Sequence, residues 1–144
     1  MFKHILLPTD GSEASSRAVE KGAELAKALG ANVTLMTAVE QFPLGVMGAA
    51  QRNDDNPMLQ AARDAASHWL SAAQLSLSKY GITAKHLTIQ GRSVHQAILE
   101  AAETSGADLI VMGSHGAGAL ERLLVGSQTQ RVLAHTSIPV LVLR

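Results

Sequence analysis

The residues best placed to do chemistry lie in one segment, Gly113-Ser-His115-Gly116-Ala-Gly-Ala-Leu-Glu-Arg-Leu-Leu-Val-Gly126-Ser127, directly after the apolar run Asp108 to Met112. A buried strand that runs into a glycine-rich turn presents backbone N–H groups, and a helix opened by Gly126-Ser127 presents more. Converging on one point, they could hold a phosphate. The simpler alternative is punctuation, because turns use glycine wherever φ must be positive. His115 reads as a solvent-facing loop residue that approaches the phosphate in the sharper reading. The Ser127 hydroxyl could cap the last helix or touch the anion, and the two roles can coexist.

A second polar cluster, Pro8-Thr9-Asp10-Gly11-Ser12, follows the first strand. Asp10 there is either a ligand-facing carboxylate or the acceptor of its own turn. If the first and fourth strands are neighbours in a parallel sheet, the two clusters face each other at the point where strand order reverses, where such sheets bind ligands. Arg122 and Arg131, the cations nearest the loop, read as solvated helix surface. His4, His68, His86, His95 and His135 share no ligand spacing, so no metal site is assigned to the chain itself.

Two familiar nucleotide signatures are excluded. A Walker loop needs a lysine and a hydroxyl after its last glycine, and Gly113 to Leu120 contains no lysine. A dinucleotide fingerprint needs a third glycine where this chain has Glu121.

Composition narrows the field further. A chain of 144 residues suits one domain, and folding at this size buries roughly 70% of the unfolded surface. Lys plus Arg balance Asp plus Glu at 12 each, so no long-range field favours nucleic acid or an anionic membrane, and any anion site must be local. One Trp, one Tyr and two Phe are too few for single-strand stacking platforms. The absence of cysteine excludes disulfides and thiol chemistry. No run reaches the roughly 18 apolar residues of a membrane span, and Met1 to Leu7 is short for a signal-peptide core. The expectation is a soluble, cytoplasmic protein without membrane insertion.

The elements that must position these clusters follow from periodicity. Strands are expected at His4–Leu7, Asn32–Val39, Ala84–Gln90, Asp108–Met112 and Pro139–Leu143. Ala14, Ala18, Leu25, Ala26 and Leu29 mark a first helix from Ser12 to Leu29, closed by Gly30. Pro57 suits the start of a second helix whose apolar face, Leu59, Ala62, Ala66, Trp69, Leu70, Ala73 and Leu77, runs towards Gly81. Ser93 and Gln96 form a capping box for a third, and the fourth spans Ser127 to His135, where Gln130 could close a second box with Ser127. Gln41 to Pro57 carries loop punctuation without a period and reads as a mobile connection, with a nucleotide lid as the sharper alternative. Strands alternating with helices imply a parallel α/β sheet with right-handed crossovers.

Gly113-2x-Gly116-9x-Gly126-Ser127, together with Pro8 to Ser12 and the closing Ile138-Pro139-Val-Leu-Val-Leu, resembles the universal stress protein family along essentially the whole chain. The resemblance implies one universal stress protein domain over residues 1–144, a flavodoxin-like three-layer α/β sandwich with a five-stranded parallel sheet ordered 3-2-1-4-5. It also implies ATP as cofactor, with Mg2+ carried on the phosphates. Asp10 would face the ribose or that metal, Pro8 and Thr9 would line the adenosine region, and Ala38 and Met112 would contact adenine. Gly113, His115, Gly116, Gly126, Ser127, Gln128 and Thr129 would surround the triphosphate, Gln128 through its backbone. Family members often carry Val and Glu where this chain has Gln128 and Gln130. The family further suggests a two-fold homodimer through antiparallel pairing of Pro139 to Leu143 at the sheet edge.

Three functions of different class meet these observations. An ATP-binding regulatory module would change its dimer, or its grip on an unidentified regulated protein, with nucleotide state. A slow ATPase or phosphotransferase would need a charge clamp that the loop does not evidently supply, so no catalytic residue is assigned. A nucleotide-independent stress protein acting through surfaces alone is disfavoured by the intact glycine motif.

Overall fold

The computed structural model describes residues 1–40, 56–114 and 125–144. Its elements run β1 (His4–Pro8), α1 (Glu13–Leu29), β2 (Asn32–Val39), α2 (Pro57–Ser78), β3 (Lys85–Gln90), α3 (Val94–Ser105), β4 (Leu109–Gly113), α4 (Ser127–His135) and β5 (Val140–Leu143). The five strands are parallel and ordered β3-β2-β1-β4-β5. Gln41 to Asp55, the expected connection or lid, and residues 115–124 of the glycine segment lie outside the described residues.

Alternation along the central strands sends side chains to two cores. Ile5, Leu7, Val33, Leu35, Leu109 and Val111 pack with Val19 and Ala23 of α1 and Leu70 and Leu77 of α2. Leu6, Met36, Ile110 and Met112 pack with Ala97, Ile98 and Ala101 of α3 and Val132 of α4. Burial on both faces is why these strands read as unbroken apolar runs.

Helix ends obey local chemistry. Ser12 caps α1 by accepting the Ser15 N–H at 3.2 Å, and Gly30 closes the helix at φ 66°. Ser93 and Gln96 make the expected capping box on α3. Asn56 caps α2 through its side-chain oxygen, with Pro57 in the first turn. The buried stripe of α1 is Ser15, Ala18, Val19, Gly22, Ala23 and Ala26, rotated from the expected one, and Leu29 at the helix end is 39% exposed. α2 stops at Ser78, short of Gly81, because Ile82 donates back to the Leu77 carbonyl and turns the chain.

Candidate functional site

β1 and β4 are adjacent, with Leu6 level with Ile110, and the chain leaves them in opposite directions across the sheet. This is the reversal point, and both polar clusters begin at its carboxyl end. Pro8 is in register with Met36, and Ala38 lies one pleat further along β2. Pro8, Ala38 and Met112 have the parity of Leu6, Met36 and Ile110, so all three face the α3/α4 layer. Met112 is buried, whereas Pro8 and Ala38 keep part of their surface in solvent. Met36, which the sequence reading did not single out, is buried beside Pro8 and floors the same row.

The turn after β1 is held by its own side chains. Asp10 Oδ1 accepts the Ser12 N–H at 2.9 Å, an Asx-type turn that delivers Ser12 to its capping position. Thr9 is buried, its N–H extends the ladder to Met36 O at 2.9 Å, and its hydroxyl lies 3.4 Å from Ser15 Oγ. Gly11 adopts φ 78°, and a Cβ there would stand 2.3 Å from Trp69 Nε1. The indole of α2 therefore covers this turn, a contact that Trp69's place in a helical stripe did not reveal.

Across the crevice, Gly113 ends β4 against α1. A Cβ on it would come within 3.0 Å of the Ala14 carbonyl oxygen, so the missing side chain is what admits the first turn of that helix. The Ser114 N–H donates to Leu143 O at 2.7 Å, and the Gly126 N–H donates to Ser114 O. Gly113-Ser114 and Gly126 thus meet although a long stretch of chain separates them. Thr129 completes the clasp, its buried hydroxyl donating to Gly113 O at 2.9 Å. That hydroxyl is committed to the fold.

α4 starts one residue earlier than a Ser127 cap would require. Gly126 is the N-cap and makes no side-chain bond, Ser127 is the first helical residue, and the first turn holds no acid. The box between Ser127 and Gln130 is not formed, because Gln130 Nε2 donates instead to Val125 O at 2.7 Å. Gln128 sends its side chain to α3, where Oε1 accepts the His95 N–H at 3.1 Å. Among the described residues no side chain caps this helix, and the N-terminal N–H groups of a helix carry the positive end of its dipole and favour an anion. Arg131 is exposed on α4, and His115, Gly116 and Arg122 lie outside the described residues.

A model of the universal stress protein family matches residues 1–144. The chain belongs to the universal stress protein family. A universal stress protein of Thermus aquaticus is 37% identical over 148 residues, covering 100% of both chains. Among solved structures, universal stress protein MJ0577 of Methanocaldococcus jannaschii shares 29% identity and a TM-score of 0.84, over 99% of this chain and 96% of that one. A universal stress protein solved in complex with cAMP shares 26% identity and a TM-score of 0.72, over 99% of this chain and 97% of that one.

Proposed function

We propose that this universal stress protein binds ATP or a related adenine nucleotide in the crevice between the ends of β1 and β4, and acts as a nucleotide-dependent regulatory module. The observation that carries the reading is the start of α4 at Gly126, acid-free in its first turn and without a side-chain cap among the described residues, clasped to the end of β4 beside the apolar row of Pro8, Ala38 and Met112. An apolar row suits a base and the N–H groups of a helix N-terminus suit phosphates, so the residues present fit the ligand. The cAMP complex of a relative at 26% identity supports an adenine nucleotide in this fold.

In this reading Pro8, Thr9, Ala38 and Met112 surround the adenosine and Asp10 faces the ribose. Backbone groups of Gly113, Gly126, Ser127, Gln128 and Thr129 hold the phosphates, joined by His115 and Gly116 of the loop. Mg2+ would arrive on the phosphates, as it usually does at nucleotide sites. Among the described residues no group of three or more His, Asp or Glu could hold a metal by itself.

The module acts as a two-fold dimer through β5, which signals nucleotide state to a protein partner. β5 lies at the sheet edge and leaves Leu141 40% exposed, an apolar edge that a second copy would cover. No helix among the described residues is long and apolar enough to cross a membrane.

Freshly purified protein, denatured and analysed by mass spectrometry, is expected to release an adenine nucleotide or, if stripped, to take one up stoichiometrically. Empty protein that fails to bind ATP, ADP, AMP or cAMP would overturn the reading.

A further inference from the structure

α3 and α4 also bring together two histidines that are distant in sequence. His95 lies in the first turn of α3 and His135 is the last residue of α4. Their ring centroids are 5.7 Å apart and the planes are inclined by 36°.

Hydrogen bonds determine which nitrogen of each ring carries the proton. His135 Nδ1 lies 2.8 Å from the Arg131 carbonyl, which can only accept, so Nδ1 is the donor. Gln96 Oε1 accepts both the Ser93 N–H at 3.3 Å and the Ser93 hydroxyl at 2.9 Å. With its hydrogen spent there, Ser93 Oγ accepts from His95 Nδ1 at 3.2 Å. Both neutral rings therefore keep their lone pair on Nε2. This is the usual state of a metal-binding imidazole, whose other N–H is anchored to an oxygen that fixes tautomer and orientation.

We propose that His95 and His135 form a two-histidine site for a borderline divalent transition-metal ion such as Zn2+, held through both Nε2 atoms with water completing its shell. The spacing agrees. Zinc–nitrogen bonds of about 2.0–2.1 Å put each ring centre roughly 3 Å from the ion, so two rings on one tetrahedral ion stand roughly 5–6 Å apart. Imidazole selects Zn2+, Cu2+ or Ni2+ over Mg2+ or Ca2+, which prefer oxygen. A bound ion would tie the first turn of α3 to the last turn of α4. These are the same helices that the His95 N–H to Gln128 bond joins nearer the crevice.

The test is calorimetric titration of Zn2+ into the full chain, stripped of metal by a chelator and free of nucleotide, so that it is independent of the nucleotide proposal. Saturable binding of one ion per chain is expected. His95→Gln and His135→Gln should each weaken it about tenfold or more, a loss of roughly 1.4 kcal/mol, with circular dichroism unchanged. His68→Gln on the exposed face of α2 should leave it unaltered. In nitrogen-15 spectra the Nε2 signals of His95 and His135 should move together on adding Zn2+, and that readout stands even if a variant folds poorly. No saturable binding, an affinity indifferent to either substitution, or Nε2 signals that stay in place would overturn the site.

Discussion

Gly113 and Gly126 hold equivalent places in the sequence motif for different physical reasons. A Cβ on Gly113 would stand 3.0 Å from the Ala14 carbonyl oxygen, so α1 would have to give by a few tenths of an ångström, a packing demand that would persist without any ligand. Gly126 sits at φ −59° and ψ 154°, a conformation open to any residue, so nothing in its backbone requires glycine. Thr129, matched to the phosphates by family resemblance, has its hydroxyl buried on Gly113 O, and Thr129→Val should therefore lower stability by about 1–2 kcal/mol by orphaning a buried carbonyl. Urea unfolding of the variant checks this, and an unchanged midpoint would place the bond outside the energetics of the fold. The motif spacing was legible in the sequence, but the fate of each side chain was not. Gln128, Thr129 and Gln130 spend their polar groups on α3, β4 and Val125, partners that only the tertiary arrangement supplies.

Among the elements, β1 and β4 were the easiest to read because both sheet faces are covered there and each becomes a short apolar run between turn residues. Helix starts were readable where a side chain caps, as at Ser12 and Ser93, and α4 begins at Ser127 as expected, but its cap is Gly126 and not the Ser127 hydroxyl. Leu29 misled for a related reason: hydrophobicity cannot say that the last turn of α1 overhangs the sheet. The His95–His135 pair escaped because sequence spacing reveals ligands on one element, whereas these lie on two.

β1, β2 and β4 are also stitched together at the end opposite the crevice. His4 Nε2 lies 2.7 Å from the hydroxyl of the fully buried Thr34, and the Asp108 carboxylate accepts the N–H groups of Lys3 and His4. Burial, reinforced by the Lys85 charge and opposed by Asp108, pulls the His4 imidazole below its ordinary value of 6.5. The unfolded chain then binds the proton first, so stability should fall as pH drops below about 6.5. The Lys3 and His4 N–H groups hold Asp108 below its ordinary 3.8, which adds a second loss at more acidic pH. Urea midpoints measured between about pH 7.5 and pH 5 should decline for the native chain and flatten in His4→Gln. A native profile already flat over that range would contradict the assignment.

For the whole molecule, alternation of strands and helices pointed to a parallel sheet, but the order 3-2-1-4-5 came from family resemblance. Periodicity carries no information on which strands are neighbours. The order matters because it makes β1 and β4 adjacent and leaves β3 and β5 as edges. β3 exposes Lys85, His86, Thr88 and Gln90, a polar guard against pairing, whereas β5 exposes Leu141. Sedimentation should accordingly show a dimer that Leu141→Lys weakens without unfolding the chain. A native protein that stays monomeric at high concentration would contradict pairing through that edge.

The central claim, that the start of α4 holds the phosphates of an adenine nucleotide, is tested most directly by titrating ATP calorimetrically into the native chain and into Gly126→Phe. The account predicts a saturable site in the former and affinity weaker by at least about tenfold, roughly 1.4 kcal/mol, in the latter. Circular dichroism is measured alongside to show that the variant is folded, the φ and ψ of Gly126 being open to any residue. Equal affinity in a folded Gly126→Phe would contradict it.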